Sequence, residues 1–295
     1  MDVYKNTSYE ALDNSTGQKI PEYKCKTPIT YVGFPKKNIG VEDLELNLRH
    51  DFNFLCVAQL GPRKNVDAVI NNFIEEFKND DVGLLLKVHG ANDSVIDFHA
   101  IKKQFQNISK AAKEEGWKCS INLLHGNLSD EQMQGLYKHP KVRSMVSFTH
   151  GEGFGLPLYE AVCNGLPVVA TDWSGHLDFL AMKADINSPG KLKGGKTKGK
   201  VVVLEKKFAA VNYELKTIPK QAVWDGVLQA ESKWAYVDDE DAKSKMRDVF
   251  ENIENWETLT NELKESYLSE QHYYDLFSEQ LGIEFDLQDE EEFLL

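Results

Sequence analysis

The chain is short of cysteine, of positive charge and of long apolar runs, and each shortage removes a class of function. Its 4 cysteines, Cys25, Cys56, Cys119 and Cys163, lie far apart in 295 residues, with no C-x-x-C pair and no histidine cluster at ligand spacing. A disulfide scaffold and a structural zinc site are therefore set aside, and a reducing, cytoplasmic location is expected. Lysine and arginine total 34 against 47 aspartates and glutamates, so 34 − 47 leaves a formal charge of −13. That balance argues against a general binder of nucleic acid or of anionic membranes, although a local basic patch can survive it. No apolar run approaches the roughly 18 residues of a membrane span, so no stable membrane insertion is expected. The opening MDVYKNTSYEALDNSTGQK has no apolar centre and does not read as a secretory signal.

What is present is enough apolar material for a core, 41% hydrophobic and 11% aromatic residues. Residues 1–50 read as a polar, irregular linker or remnant with one β-like stretch at Ile29–Gly33, and from residue 51 the texture becomes a regular alternation. Phe54–Ala58 is a buried strand followed by a Gly-Pro turn. Val66, Val69, Ile70, Phe73, Ile74 and Phe77 then fall on one face of a helix. Val82–Val88, Cys119–Leu124, Val142–Phe148 and Leu166–Ala170 read as further strands, separated by helical stretches through Ile101–Ala112, from Ser129 and over Leu156–Asn164. Ser129-Asp130-Glu131-Gln132 has the form of a capping box, with Glu131 as favourable charge in the first turn. Val201–Leu204 looks like one more strand, and a helical C-terminal region carries Trp256, Leu259, Leu263 and Tyr267 at helical spacing. The expected organisation is a linker over 1–50, one ligand-binding domain with C-terminal helices over 51–282, and an acidic tail over 283–295. Near-continuous apolar strands alternating with helices predict an α/β fold, a Rossmann-like parallel sheet with helices on both faces. In such sheets ligands bind beyond the carboxyl ends of the strands, here in the loops after residues 58, 88, 124, 148 and 170.

Two motif matches are refused. Gly190–Thr197 (GKLKGGKT) satisfies the P-loop pattern, but Asn187-Ser188-Pro189 precedes it and a β-like VVVL follows, so the strand-to-helix setting is missing and a mobile lysine-rich surface loop is the simpler reading. Gly151-Glu152-Gly153-Phe154-Gly155 invites a dinucleotide reading, but its third glycine comes one residue early and Leu156 takes the expected place.

The segment that carries chemistry is THGEGFGLPLYEAVCNGLPVVATDWSGHLDFL, residues 149–180. Its glycines let the backbone approach a bound group, and the helix starting near Leu156 offers the partial positive charge that suits a diphosphate. Glu152 lies in the loop and Glu160 on the helix, so a ligand with phosphates in the middle and hydroxyls at both ends fits between them: a sugar nucleotide. His150 and His176 flank the motif and read as hydrogen-bonded structural histidines.

Glu152 and Glu160, set in G-E-G-F-G-L-P-x-x-E-A and followed by G-x-P-V-V-A, resemble the E-x7-E element of retaining GT-B glycosyltransferases of the group 1 type, and the resemblance covers residues 50–180 best. It implies that Glu160 holds the ribose diol, while Glu152 and the amides of Gly153, Phe154 and Gly155 hold the transferred sugar and the phosphates. A second family element is the loop V-G-R-L-x-x-x-K-G, whose arginine and lysine bind the donor diphosphate. Here Lys64 matches the lysine, Gln59 stands at the arginine position, and Arg63 is near enough in sequence to substitute. His125-Gly126 corresponds to the loop that contacts the nucleotide base. Sequences with GPRKN, LLHGN and THGEGFGLP are also similar to bacteriophage glycosyltransferases. The resemblance implies hexosyl transfer with retention, from a nucleoside-diphosphate sugar to a glycan, lipid, protein or DNA acceptor, with Lys64 and Glu152 at the catalytic centre and neither metal nor cofactor. GT-B enzymes use two Rossmann-like domains. Only about 50 residues precede the first strand here, so the chain reads as the C-terminal, donor-binding half, with a separate N-terminal half as a partner. The rival reading is a non-catalytic nucleotide-sugar or glycan binding module.

Overall fold

A strand such as Asn53–Gln59, in which Phe54 and Leu55 point to opposite faces and neither reaches solvent, belongs in the middle of a sheet covered on both sides. A computed structural model of the chain describes residues 8–12, 19–24, 39–90, 94–186, 201–224 and 227–281. The chain divides into a larger unit, Lys37–Leu268, and a smaller one made of Met1–Lys36 with Ser269–Leu295. In the smaller unit β1 (Ser8–Leu12) and β2 (Lys19–Lys24) pair antiparallel. The sequence reading left these residues as irregular linker. Their side chains alternate without a sustained apolar face, so local periodicity gives no sign of the pairing. The β-like Ile29–Gly33 lies outside the described residues.

The larger unit follows the predicted alternation closely. β3 (Asn53–Gln59), α1 (Val66–Phe77), β4 (Gly83–His89), α2 (Val95–Glu115), β5 (Ser120–Leu124), α3 (Asp130–Tyr137), β6 (Val142–Ser147), α4 (Leu156–Cys163) and β7 (Val168–Thr171) occur in turn. They build a six-stranded, all-parallel sheet in the order β10-β7-β6-β3-β4-β5, a Rossmann-like arrangement in which β10 (Ala209–Val211) closes one edge. Alternate residues of each strand feed two cores. Phe54, Cys56, Leu84, Leu86 and Val146 pack with Val69, Phe73 and Phe77 of α1 and Ile101 of α2. Leu55, Leu85, Met145 and Val168 pack with Leu136 of α3 and Leu158 and Val162 of α4 on the other face. A fully buried phenylalanine such as Phe73 contributes on the order of 2–3 kcal/mol by leaving water. The capping box opens α3 as expected: Gln132 N donates to Ser129 Oγ at 3.2 Å and Ser129 N to Gln132 Oε1 at 3.0 Å.

Beyond β7 the expected strand at Val201–Leu204 and the helical stretch carrying Trp256, Leu259 and Leu263 occur, but other elements differ from the expected ones. A short helix α5 (Leu177–Leu180) leads into an antiparallel pair, β8 (Ala181–Ile186) with β9 (Val201–Lys206). The region expected to be helical then continues as β10 and a second antiparallel pair, β11 (Tyr213–Thr217) with β12 (Lys233–Val237). Three residues are too few for β10 to show a period, while Y-E-L-K-T alternates apolar and charged residues over a stretch too short to stand out inside a region expected to be helical. Helices α6 (Asp239–Glu251) and α7 (Ile253–Glu262) and a π-turn over Leu263–Tyr267 follow; α8 (Glu270–Leu281) belongs to the smaller unit. The P-loop-like Gly190–Thr197, the lysine-rich loop and the acidic tail lie outside the described residues. Among the described residues no helix is long and apolar enough to cross a membrane.

Candidate functional site

Because the six strands are parallel, the loops after β3, β4, β5, β6 and β7 share one rim of the sheet, and hydrogen bonds stitch them together. After β3 a 3-10 turn, Pro62–Lys64, ends at Asn65, which takes the left-handed conformation at φ 49°. The Asn65 side-chain amide donates to the Phe148 carbonyl at 3.0 Å, and His150 N donates to the Arg63 carbonyl at 2.9 Å. The β3 and β6 loops are thus locked side by side. Thr171 Oγ1 at the end of β7 donates to the Thr149 carbonyl at 3.1 Å, which adds the third loop.

This stitching brings Arg63, Lys64 and Glu152 together. Lys64 Nζ donates to Glu152 Oε1 at 2.5 Å, while Arg63 Nη1 donates to Glu152 Oε2 at 3.2 Å and to the Gly151 carbonyl at 2.5 Å. The Glu152 side chain is only 9% exposed. Burial alone would push its carboxyl upward, but the hydrogen bonds and charges of Lys64 and Arg63 outweigh burial and hold it below the usual range. Its backbone is pinned as well: Glu152 N donates to Ser174 Oγ at 2.8 Å, and Gly175 N donates to the Glu152 carbonyl at 3.1 Å. A Cβ at Gly151 or Gly153 would meet nothing within 4 Å, so the loop borders open space. Gly155, at φ 90°, turns the chain into α4, whose start has no side-chain cap. Phe154 sends its ring inward, 5.0 Å from Phe179 and 5.4 Å from Tyr159, which leaves its backbone as the group available to a ligand.

The remaining predicted residues have other partners. Glu160 accepts a hydrogen bond from the Tyr137 hydroxyl at 2.9 Å. Burial, and then the Glu160 charge and hydrogen bond, raise that phenol well above its ordinary value. His125 Nε2 meets Asp97 Oδ2 at 3.2 Å, and the same oxygen accepts from Gly90 N at 2.6 Å. Buried Lys87 donates from strand β4 to the Gly126 carbonyl at 2.5 Å, which ties β4 to the loop after β5. Gln59 Nε2 reaches the Gly90 carbonyl at 3.4 Å, whereas Arg63 is the residue that meets the Glu152 loop. The sequence reading missed Ser174, Tyr137 and Asp97. Ser174, at φ 87° beside Gly175, is legible afterwards as a tight turn, but Tyr137 looks like any apolar helix residue.

The flanking histidines sit in structural surroundings. His150 stacks on Trp234 at 4.9 Å and 15°, lies 4.3 Å from the Tyr236 ring, and donates Nδ1–H to the Ala235 carbonyl at 2.7 Å. His176 is fully buried and donates Nε2–H to the Thr171 carbonyl at 2.7 Å. Burial lowers both rings below the ordinary histidine value, although each backbone hydrogen bond opposes the shift.

Residues 45–186, just under half of the chain, match the family model of glycosyl transferases group 1. The matched stretch contains Arg63, Lys64, His125, Gly126 and the whole Glu152–Glu160 element. No curated protein matches the chain. Among solved structures it is similar to E. coli trehalose-6-phosphate bound with UDP-2-fluoro glucose, at 11% identity over 78% of this chain and 44% of that one, with a TM-score of 0.49. The chain thus spans less than half the length of that protein. It is also similar to the catalytic domain of cholesterol-α-glucosyltransferase from Helicobacter pylori, at 16% identity over 73% and 96% of the two chains, with a TM-score of 0.42. A third similarity is to the C-terminal domain of a glycosyl transferase group 1 family protein, LpcC, from Francisella tularensis, at 14% identity over 79% and 88%, with a TM-score of 0.41.

Proposed function

We propose that this chain is a retaining group 1 glycosyltransferase, or its donor-binding half, which moves a hexose from a nucleoside-diphosphate sugar to an acceptor. The observation that carries the reading is the meeting of Lys64, Arg63 and Glu152 at the uncapped, glycine-rich start of α4, on the carboxyl rim of a parallel sheet. In glycosyl transfer the bond from the anomeric carbon to the diphosphate breaks. Positive charge then grows on the sugar ring and negative charge on the leaving phosphate. Lys64, Arg63 and the backbone amides at the helix start oppose the negative charge without reorganising. Glu152 faces the ring, Glu160 holds the ribose diol, and the His125–Gly126 loop borders the base. The proposed chemistry needs neither metal nor cofactor, since two cations and a helix N-terminus neutralise the diphosphate.

The reading is tested by thermal shift against a panel of UDP-, GDP- and ADP-sugars, followed by titration of the best donor. Lys64→Ala and Glu160→Ala are each expected to weaken binding by more than about tenfold, the loss typical of a charge-assisted contact. Unchanged affinity in well-folded variants sinks the assignment. Donor binding without hydrolysis or transfer identifies a nucleotide-sugar binding module instead.

A further inference from the structure

The two cations proposed to receive the donor's diphosphate are both engaged in the resting protein, and by the same carboxylate. Glu152 gives one oxygen to Lys64 at 2.5 Å and the other to Arg63 at 3.2 Å. Two oxygens of one anion, each facing a different cation, is also how a diphosphate would meet this pair. The pair is not free to retreat. The backbone of Arg63 is tied to His150 and that of Glu152 to Ser174 and Gly175, so the cations and the loop stay in place while the side chains can turn. The loop around them is open on the ligand side, since a Cβ on Gly151 or Gly153, the residues on either side of Glu152 in the chain, would meet nothing within 4 Å.

We infer that Glu152 is an internal counter-anion, which the donor's diphosphate displaces from Lys64 and Arg63 and which then turns to the transferred sugar. This inference rests on the donor-site reading above. Donor binding is then an anion exchange. A diphosphate that lacks the sugar must break the Glu152 contacts and offers the displaced carboxylate nothing in return, whereas a complete donor re-engages it. The resting protein therefore discriminates against spent nucleotide in favour of loaded donor.

The test uses the full chain and isothermal titration with inorganic pyrophosphate, which is independent of the base, alongside UDP, GDP and ADP. Glu152→Gln removes the competing charge, and Glu152→Asp keeps the charge but shortens its reach by one methylene. Both variants are expected to bind pyrophosphate roughly fivefold more tightly than the parent, the scale of a partly exposed ion pair released. Lys64→Met is expected to bind it more than about tenfold more weakly. Tightening in Glu152→Gln but not in Glu152→Asp would indicate a general charge effect and overturn the inference. Equal or weaker binding in both Glu152 variants, with Lys64→Met still impaired, overturns it while leaving the donor site intact. If Lys64→Met changes nothing, the donor-site reading itself fails. Circular dichroism melts of each variant separate lost folding from lost binding.

Discussion

Tyr137 gives its hydroxyl to Glu160 from the end of helix α3, and the two residues illustrate how the carboxylate proposed to hold the ribose diol is oriented. Glu160 lies mid-helix, where its side chain has several rotamers, and a buried phenol 2.9 Å away is one of the partners that fix its carboxylate. Tyr137 is buried at 2% exposure, so its ring is held by packing and cannot follow a wandering carboxylate. Tyr137→Phe keeps the ring and removes only the hydrogen bond. Stability is expected to fall by about 1 kcal/mol, and affinity for the best nucleoside diphosphate by about threefold to tenfold, as the carboxylate loses its preferred direction. Chemical denaturation and titration check the two numbers separately. Loss of stability with unchanged affinity would make Tyr137 a packing residue only.

At the scale of elements, the glycine-rich loop and the turn after β7 fit so closely that one methyl group decides whether they remain together. A Cβ on Gly175 would run into the Gly153 carbonyl oxygen and lie 3.0 Å from that of Glu152, and both neighbours are backbone that cannot rotate away. Gly175→Ala is expected to cost on the order of 1–3 kcal/mol by overpacking and to push the Glu152 loop off Ser174. Donor affinity should fall more than tenfold, while Gly151→Ala, which meets nothing, should keep its fold. Equal melting temperatures for Gly175→Ala and the parent would refute this account.

The same elements mark where the sequence could be read. The central strands of the sheet, such as Asn53–Gln59 and Gly83–His89, are buried on two faces and their helices carry a 3.6-residue stripe, so local pattern and tertiary fate agree. Arg63 and Lys64 came within view because they sit in a loop with a strand on one side and an apolar helix on the other. β10 was not legible, because its identity depends on a partner far away in the chain: Ala209–Val211 is a strand only by lying against Val169–Thr171, while β11 and β12, which pair with each other, lie in a stretch whose turn and helix signals mask them. The clamp on His150 is hidden for the same reason, since Trp234 and Tyr236 reach it from a hairpin more than eighty residues distant. Tyr137 met Glu160 across two helices that no spacing rule connects.

At the scale of the whole molecule, the histidines and Glu152 give the fold a pH dependence with two separate limbs. His50, His139, His150 and His176 occur on both ends of the sheet, and in each case burial is the largest cause lowering the ring below its ordinary value of 6.5. The unfolded chain takes up protons below pH 6.5 that the folded chain refuses. Their contribution is therefore complete above pH 6.5 and is lost as pH falls toward the lowered folded values. Glu152 has the carboxylate version of the same sign. Lys64 and Arg63 hold its folded value below 4.5, so its contribution is present above pH 4.5 and is lost only as pH falls further, through the folded value. Denaturation midpoints should thus be flat from pH 8 to about 6.5, decline as pH falls below about 6.5, and decline more steeply once it falls below about 4.5. Replacing the stacked and the fully buried rings together, His150→Asn with His176→Asn, should shrink the first limb to the share carried by His50 and His139 and leave the second. Glu152→Gln should reduce the second limb, leaving the part carried by Asp97 and Glu131, whose carboxyls are also held low by backbone hydrogen bonds, and should not change the first. Stability that rises as pH falls from 7 to 5 would mean these rings gain protons on folding, the opposite of what their burial dictates.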